Sequence, residues 1–266
     1  MSNIKDIGQV ARYKPLARCG MEELAARQKT IVPSGGVLFA RNADREEKDA
    51  ARQKVLDLFH PNQWPGQLNM LTMPGLHWRF ERKLLGTREG DWFRKAGPNR
   101  TNFTGVENDR SIYFASVTQM PGLCTKRALV KLMRPENNKF FFEMGVKTKF
   151  ASYFFTNIDD LMRHDWTVGN PYHKRDLVGW DAAWLDFTGP MSVERLAILE
   201  RFYHQFVRKI LIVTVLKARW NKATNNAIER AGGHTPWLHK RLGGELIHDI
   251  EYYDTSPMAQ IAIRHP

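Results

Sequence analysis

"GWDAAWLDFTGPMS" occupies residues 179–192, and its reading decides how the rest of the chain is parsed. A short apolar segment runs into Asp186 and stops there, at the turn-forming run Phe-Thr-Gly-Pro. An apolar run of strand length that ends on a carboxylate and a turn marks the end of a buried parallel strand. In open α/β sheets, ligands collect at such ends. An aspartate before a Gly-Pro turn has a plainer use as well, hydrogen bonding to its own backbone. Taken alone, the stretch leaves both uses open.

Downstream, Ser192 is placed to cap a helix over 192–209, with Val193, Leu196, Leu199, Phe202 and Phe206 along one face. "KILIVTVLKAR" then reads as a strand apolar on both faces, as a central parallel strand should be. "TNNAIERAGGHTPWLHKRL" is a broken helix. "ELIHDIEYYD" and "MAQIAIRH" are strands separated by too few residues for a crossover, so they pair antiparallel.

Upstream, "LNMLTMPG" (68–75) is a strand, "HWRFERKLLG" a helix, and "TNFTGVEND" (101–109) a strand ending on Glu107. "DRSIYFASVTQM" is the next helix, and "ASYFFTNIDDLM" (151–162) opens as a strand ending near Asn157. Residues 1–66 read as a helical appendage. There "NADREEKDAARQKVLDLFH" puts Ala51, Val55, Leu56 and Phe59 on one stripe, and "HPNQWPGQ" breaks the chain. Residues 67–266 form the expected α/β domain: a mostly parallel Rossmann-like sheet, helices on both faces, and a C-terminal antiparallel hairpin.

The 266 residues are 42% hydrophobic, enough for a substantial core, which excludes global disorder. Lys and Arg number 40 against 28 Asp and Glu, a net charge of +12 that favours a polyanionic partner, nucleic acid first. Arg94, Lys95 and Arg100 precede Glu107, and Lys126, Arg127, Lys131 and Arg134 follow it, with Trp92, Phe93 and Phe140–Phe142 interleaved. Cations beside aromatic platforms suit single-stranded nucleic acid; the same pattern also describes a solvated face over core aromatics. Cys19 and Cys124 read as free thiols, and no run approaches the length of a bilayer span, so a cytosolic protein without a membrane partner is expected. The nine histidines, His234, His239 and His248 among them, lack the spacing of a metal site, and none is assigned.

The order of these segments resembles the class I S-adenosylmethionine-dependent methyltransferase fold over residues 68–266. The resemblance implies that S-adenosylmethionine lies across the carboxyl ends of the first strands. It puts Thr72, Met73, Pro74 and Gly75 in the loop around the methionine portion, and Glu107 with Asn108 at the ribose. Asn157, Ile158 and Asp159 would flank the adenine, while Asp186 and Phe187 would face the methyl acceptor. Two departures stand out. Gly75 is alone where the family carries two or three glycines, and "DFTGP" keeps only the acid of the Asp/Asn-Pro-Pro-aromatic run found in amino-methylating enzymes of nucleic acids. The implied activity is methyl transfer to nucleic acid. The competing reading is a protein that keeps the fold without the chemistry and binds nucleic acid or serves in an assembly.

Overall fold

A computed structural model describes residues 46–74, 78–89, 100–117, 120–121, 128–136, 139–148, 150–163, 179–187, 191–217, 222–253 and 257–265. The sequence expectations on Gly75, Arg94, Lys95, Lys126, Arg127 and both cysteines lie outside these residues. The described chain divides into two compact units, one built on the described residues within 60–67 and 74–158, the other on those within 46–59, 68–73 and 159–265.

In the first unit, helix α2 (Arg79–Glu89) leads into strand β2 (Thr101–Glu107) and helix α3 (Arg110–Val117). Strands β3 (Ala128–Glu136) and β4 (Lys139–Lys147) form an antiparallel hairpin, and β5 (Ala151–Phe155) follows. β4 pairs antiparallel with β5, and β5 runs parallel to β2, with Glu107 opposite Phe155. The hairpin adds to the sequence reading, which noted the basic residues of this stretch and assigned it no element. Gly105 is where the core comes closest to the backbone. A Cβ there would stand 2.8 Å from both Trp78 Cη2 and Tyr153 Cδ2, so only glycine lets those rings close over β2. Arg88, only 4% exposed, donates to Thr101 Oγ1 at 2.9 Å and to the carbonyls of Trp64 and Gly66 at 2.8 and 2.6 Å. A buried guanidinium needs such acceptors, and here they tie residues 60–67 to this unit.

The second unit contains helix α1 (Glu46–Leu58), β1 (Leu68–Thr72), β6 (Trp180–Phe187), α5 (Val193–Phe206), β7 (Val207–Leu216), α6 (Lys222–Ala231), α7 (His234–Leu242), β8 (Glu245–Tyr253) and β9 (Pro257–Arg264). The six-residue helix α4 (Ile158–Arg163) spans the change from one unit to the other along the chain. β1 and β7 flank β6, both parallel to it. β9 pairs antiparallel with β7, and β8 with β9, which completes the expected terminal hairpin. Asp186 ends up opposite Thr214, so the fourth and fifth strands read from the sequence are indeed neighbouring parallel strands.

The β6–α5–β7 unit is a parallel crossover through a helix, and with the terminal hairpin it gives the Rossmann-like α/β fold. Ser192 caps α5 as read, its Oγ accepting from the Arg195 N–H at 3.1 Å. Helix α1 buries Ala51, Val55 and Leu56 and packs against β8. Among the described residues of 1–66, α1 falls in the second unit and 60–66 in the first.

Candidate functional site

The strands' carboxyl ends carry the polar residues, and each unit presents its own set. In the first, β2 and β5 end side by side, and the Thr156 N–H donates to the Glu107 carbonyl at 2.9 Å. The Glu107 side chain is half-buried, and its Oε1 accepts the Asp109 N–H at 2.8 Å. Asp109 in turn caps α3: its Oδ1 accepts from Ile112 N–H at 3.1 Å, and its carbonyl accepts from Tyr113 N–H at 2.8 Å. The plain alternative for Glu107, capping the following helix, is thus filled by Asp109.

Burial pushes the Glu107 carboxyl up to about 7, against the backbone N–H groups of Asp109 and Asn108, which hold it down. Beneath it lies a cluster that the sequence did not single out. Tyr153 stacks on Tyr113 at 4.7 Å and meets Trp78 edge-on at 4.8 Å. The Tyr153 hydroxyl shares a 2.6 Å hydrogen bond with Ser116 Oγ, and Trp78 Nε1 donates to the Ser116 carbonyl at 3.1 Å. Burial, and then the charge of Glu107, raise the Tyr153 phenol well above its usual range. Beside this cluster Pro74 is buried, Asn108 and Asn157 are exposed, and Ile158 is buried in the core.

In the second unit, Thr72 closes β1 opposite Trp184. Its hydroxyl is buried and makes no hydrogen bond within the described structure, and Met73 next to it is half-buried. Asp186 is half-buried near the end of β6. Because strand residues alternate in direction, Asp186 shares a face with Trp184, and Phe187 takes the other. Phe187 is 2% exposed, with the Arg195 guanidinium 5.3 Å from its ring centre.

Arg195 in turn holds Asp159: Nε donates to Oδ1 at 2.8 Å and Nη2 pairs with Oδ2. Phe187, expected at the acceptor with Asp186, is buried on the opposite face of β6. The Asp159 carboxylate, expected beside the adenine, pairs with Arg195 of α5.

On the Asp186 face runs a rung of buried polar side chains. Thr214, opposite Asp186, is opposite Gln260 on its other side. Thr214 Oγ1 accepts both Trp184 Nε1 and Gln260 Nε2 at 3.1 Å. Each is a single polar residue inside "ILIVTVL" or "MAQIAI", which was the available sequence signal. Thr214 Oγ1 thus takes up both N–H donors, while Gln260 Oε1 is buried without a partner within the described structure, and the Trp184 indole is held on the Asp186 face.

Of the basic residues, Arg100 is exposed just before β2, and Lys131 and Arg134 stand on β3 opposite Met144 and Phe141. Among the described residues no group of three or more His, Cys, Asp or Glu is arranged to hold a metal ion, and no helix is long and apolar enough to cross a membrane.

No protein-family model matches the sequence, and comparison with curated proteins gives no match. Solved structures do match in shape. One is the N-methyltransferase NodS from Bradyrhizobium japonicum WM9 in complex with S-adenosyl-L-homocysteine. It is 10% identical, covering 85% of this chain and 91% of that one, with a TM-score of 0.46. A second is the 1,6-didemethyltoxoflavin-N1-methyltransferase of Burkholderia thailandensis, 12% identical over 95% of this chain and 92% of that one, TM-score 0.44. A third is the [4+2]-cyclase SpnF, 13% identical over 84% and 85%, TM-score 0.45. Chains this distant transfer no site by identity.

Proposed function

We propose that the chain is an S-adenosylmethionine-dependent methyltransferase whose acceptor is nucleic acid. The observation that carries this is Glu107: a half-buried carboxylate at the end of a parallel strand, with the helix cap supplied by Asp109 instead. A carboxylate there accepts hydrogen bonds from both hydroxyls of a ribose. In the second unit, taken by itself, the buried Thr72 hydroxyl at the end of β1 makes no hydrogen bond within the described structure, and a buried polar atom needs a partner that a polar ligand would bring. When bound, S-adenosylmethionine supplies a methyl group on a sulfonium sulfur for in-line displacement by a nucleophile. Asp186 accepts a hydrogen bond from the incoming amine or hydroxyl and orients its lone pair, while Trp184 limits water on that face. The net charge of +12 and exposed Arg100 support a polyanionic acceptor.

A second reading, a cofactor-free nucleic-acid-binding or assembly protein, is favoured by the internal engagement of Asp159 and Phe187. Calorimetric titration with S-adenosylmethionine and S-adenosylhomocysteine separates the two. Binding by the wild type, weakened about tenfold or more in Glu107→Ala, supports the enzyme. Silence in the folded wild type sinks it and leaves the second reading.

A further inference from the structure

Helices α5, α6 and α7 enclose a groove of about 330 Å³ on the second unit. Its floor is apolar: Val193 and Leu196 from α5, Ala227 and Ala231 from α6, and Trp237 from α7. Val193 is 36% exposed and is the one large hydrophobic residue classed as exposed among those described. A single exposed hydrophobic is ordinary on its own; here Val193 is continuous with the apolar floor, and an apolar patch rimmed by polar residues marks an interaction site.

The rim is basic, formed by Arg230, Lys240 and Arg241. Arg241 pairs with Glu200 at 2.6 Å, and Arg230 turns Nε onto its own helix, to the Asn226 carbonyl at 3.0 Å. Neither Arg230 nor Lys240 has a carboxylate partner among the described residues, and both are exposed. The groove thus combines an apolar floor with two cations that lack counter-charges.

We propose that this groove docks an acidic segment of another protein, one that inserts a leucine- or phenylalanine-sized side chain between α5 and α6. Charge selects this occupant. A second copy of the chain would bring another net +12. The chain's own first 45 residues carry eight Lys and Arg against four Asp and Glu, the wrong sign for this rim. The floor selects protein over nucleic acid: bases seek exposed aromatic faces, whereas Trp237 is 6% exposed and the other four floor residues are aliphatic. An amphipathic helix with acidic flanks meets both demands at once. The inference does not depend on the cofactor reading, because none of these residues belongs to the strand-end site.

The test is fluorescence anisotropy of the full chain with a labelled helical peptide of about 16 residues, leucines on one stripe and glutamates elsewhere. Its controls are the same composition with the leucine order scrambled, polyglutamate of equal length, and oligothymidylate. The proposal expects the amphipathic peptide to bind best. Arg230→Glu with Lys240→Glu should weaken it about tenfold or more, and Ala227→Phe, which fills the floor, should do likewise at unchanged Tm. All three positions are at least partly exposed, so the fold should survive. Equal binding of polyglutamate or the scrambled peptide would reduce the groove to bare charge and overturn the proposal. Oligothymidylate binding that is lost in the same variants would reassign the face to nucleic acid, and no peptide binding would end the idea.

Discussion

Glu107 is a group whose protonation decides what it can hold. Its carboxyl stands at about 7 against an ordinary 4.5, so the native environment disfavours the charged form. A ribose is best gripped by the ionised carboxylate, so cofactor affinity should rise with pH through neutrality, by about tenfold between pH 6 and 8. Stability runs the other way. An acid raised in the folded state makes the native protein lose stability as pH climbs from about 4.5 to about 7, the window between its unfolded and folded values. Calorimetry at three pH values should show this slope in the wild type and a flat profile in Glu107→Gln; a wild type as flat as the variant would remove Glu107 from the site. The position of Glu107 was legible because a strand and a turn signal bracket it. Strand alternation puts Phe187 on the face opposite Asp186, although the family resemblance groups the two at the acceptor. The Arg195–Asp159 pair was not legible, because nothing local links residues 36 apart in the chain.

Helix α7 is bracketed by glycine pairs, Gly232–Gly233 before it and Gly243–Gly244 after it, all at positive φ. Gly232 and Gly244 have nearly the same φ, 85° and 83°, yet their surroundings differ. A Cβ on Gly232 meets nothing, whereas one on Gly244 would run into the carbonyl oxygen of Arg264, the last residue of β9. Gly232→Ala should therefore cost about 1 kcal/mol of backbone strain, and Gly244→Ala several times more, because backbone must move in the β8–β9 pair. Chemical denaturation of both variants measures the difference; equal losses would mean the close approach to Arg264 is relaxed at no cost. Strands β6, β7 and β9 could be read because each is an unbroken apolar run ended by a turn. β3 and β4 could not be read in the same way, although "PENNK" between "ALVKLM" and "FFFEMGV" is a turn signal between two strand-like runs. Their charges drew the reading toward a binding surface and away from a hairpin.

For the molecule as a whole, an excess of twelve positive charges should make nucleic-acid binding steeply sensitive to salt. Replacing Arg94, Lys95 and Arg100 together with Ala should weaken single-strand binding across sequences. The slope of log K against log salt should fall by about 0.7 for each phosphate that is no longer neutralised. Filter binding over a salt series checks this, and an unaltered slope would mark that patch as solvated surface. The two-unit division was hidden from the sequence because β1 and α1 join a unit built mainly from residues more than 100 positions downstream.

The place of β8 at the end of the strand order has its own consequence. Among the described residues only β9 pairs with it, and an unpaired strand edge offers a template for another strand. Glu245, Asp249 and Glu251 are exposed along that strand, with Arg264 and Lys217 neutralising the first and last from neighbouring positions. Two such strands meeting edge to edge would set carboxylates beside carboxylates, and like charges facing each other across a strand pair disfavour the pairing. The acidic residues of β8 thus weigh against the edge-to-edge growth that an open strand otherwise invites.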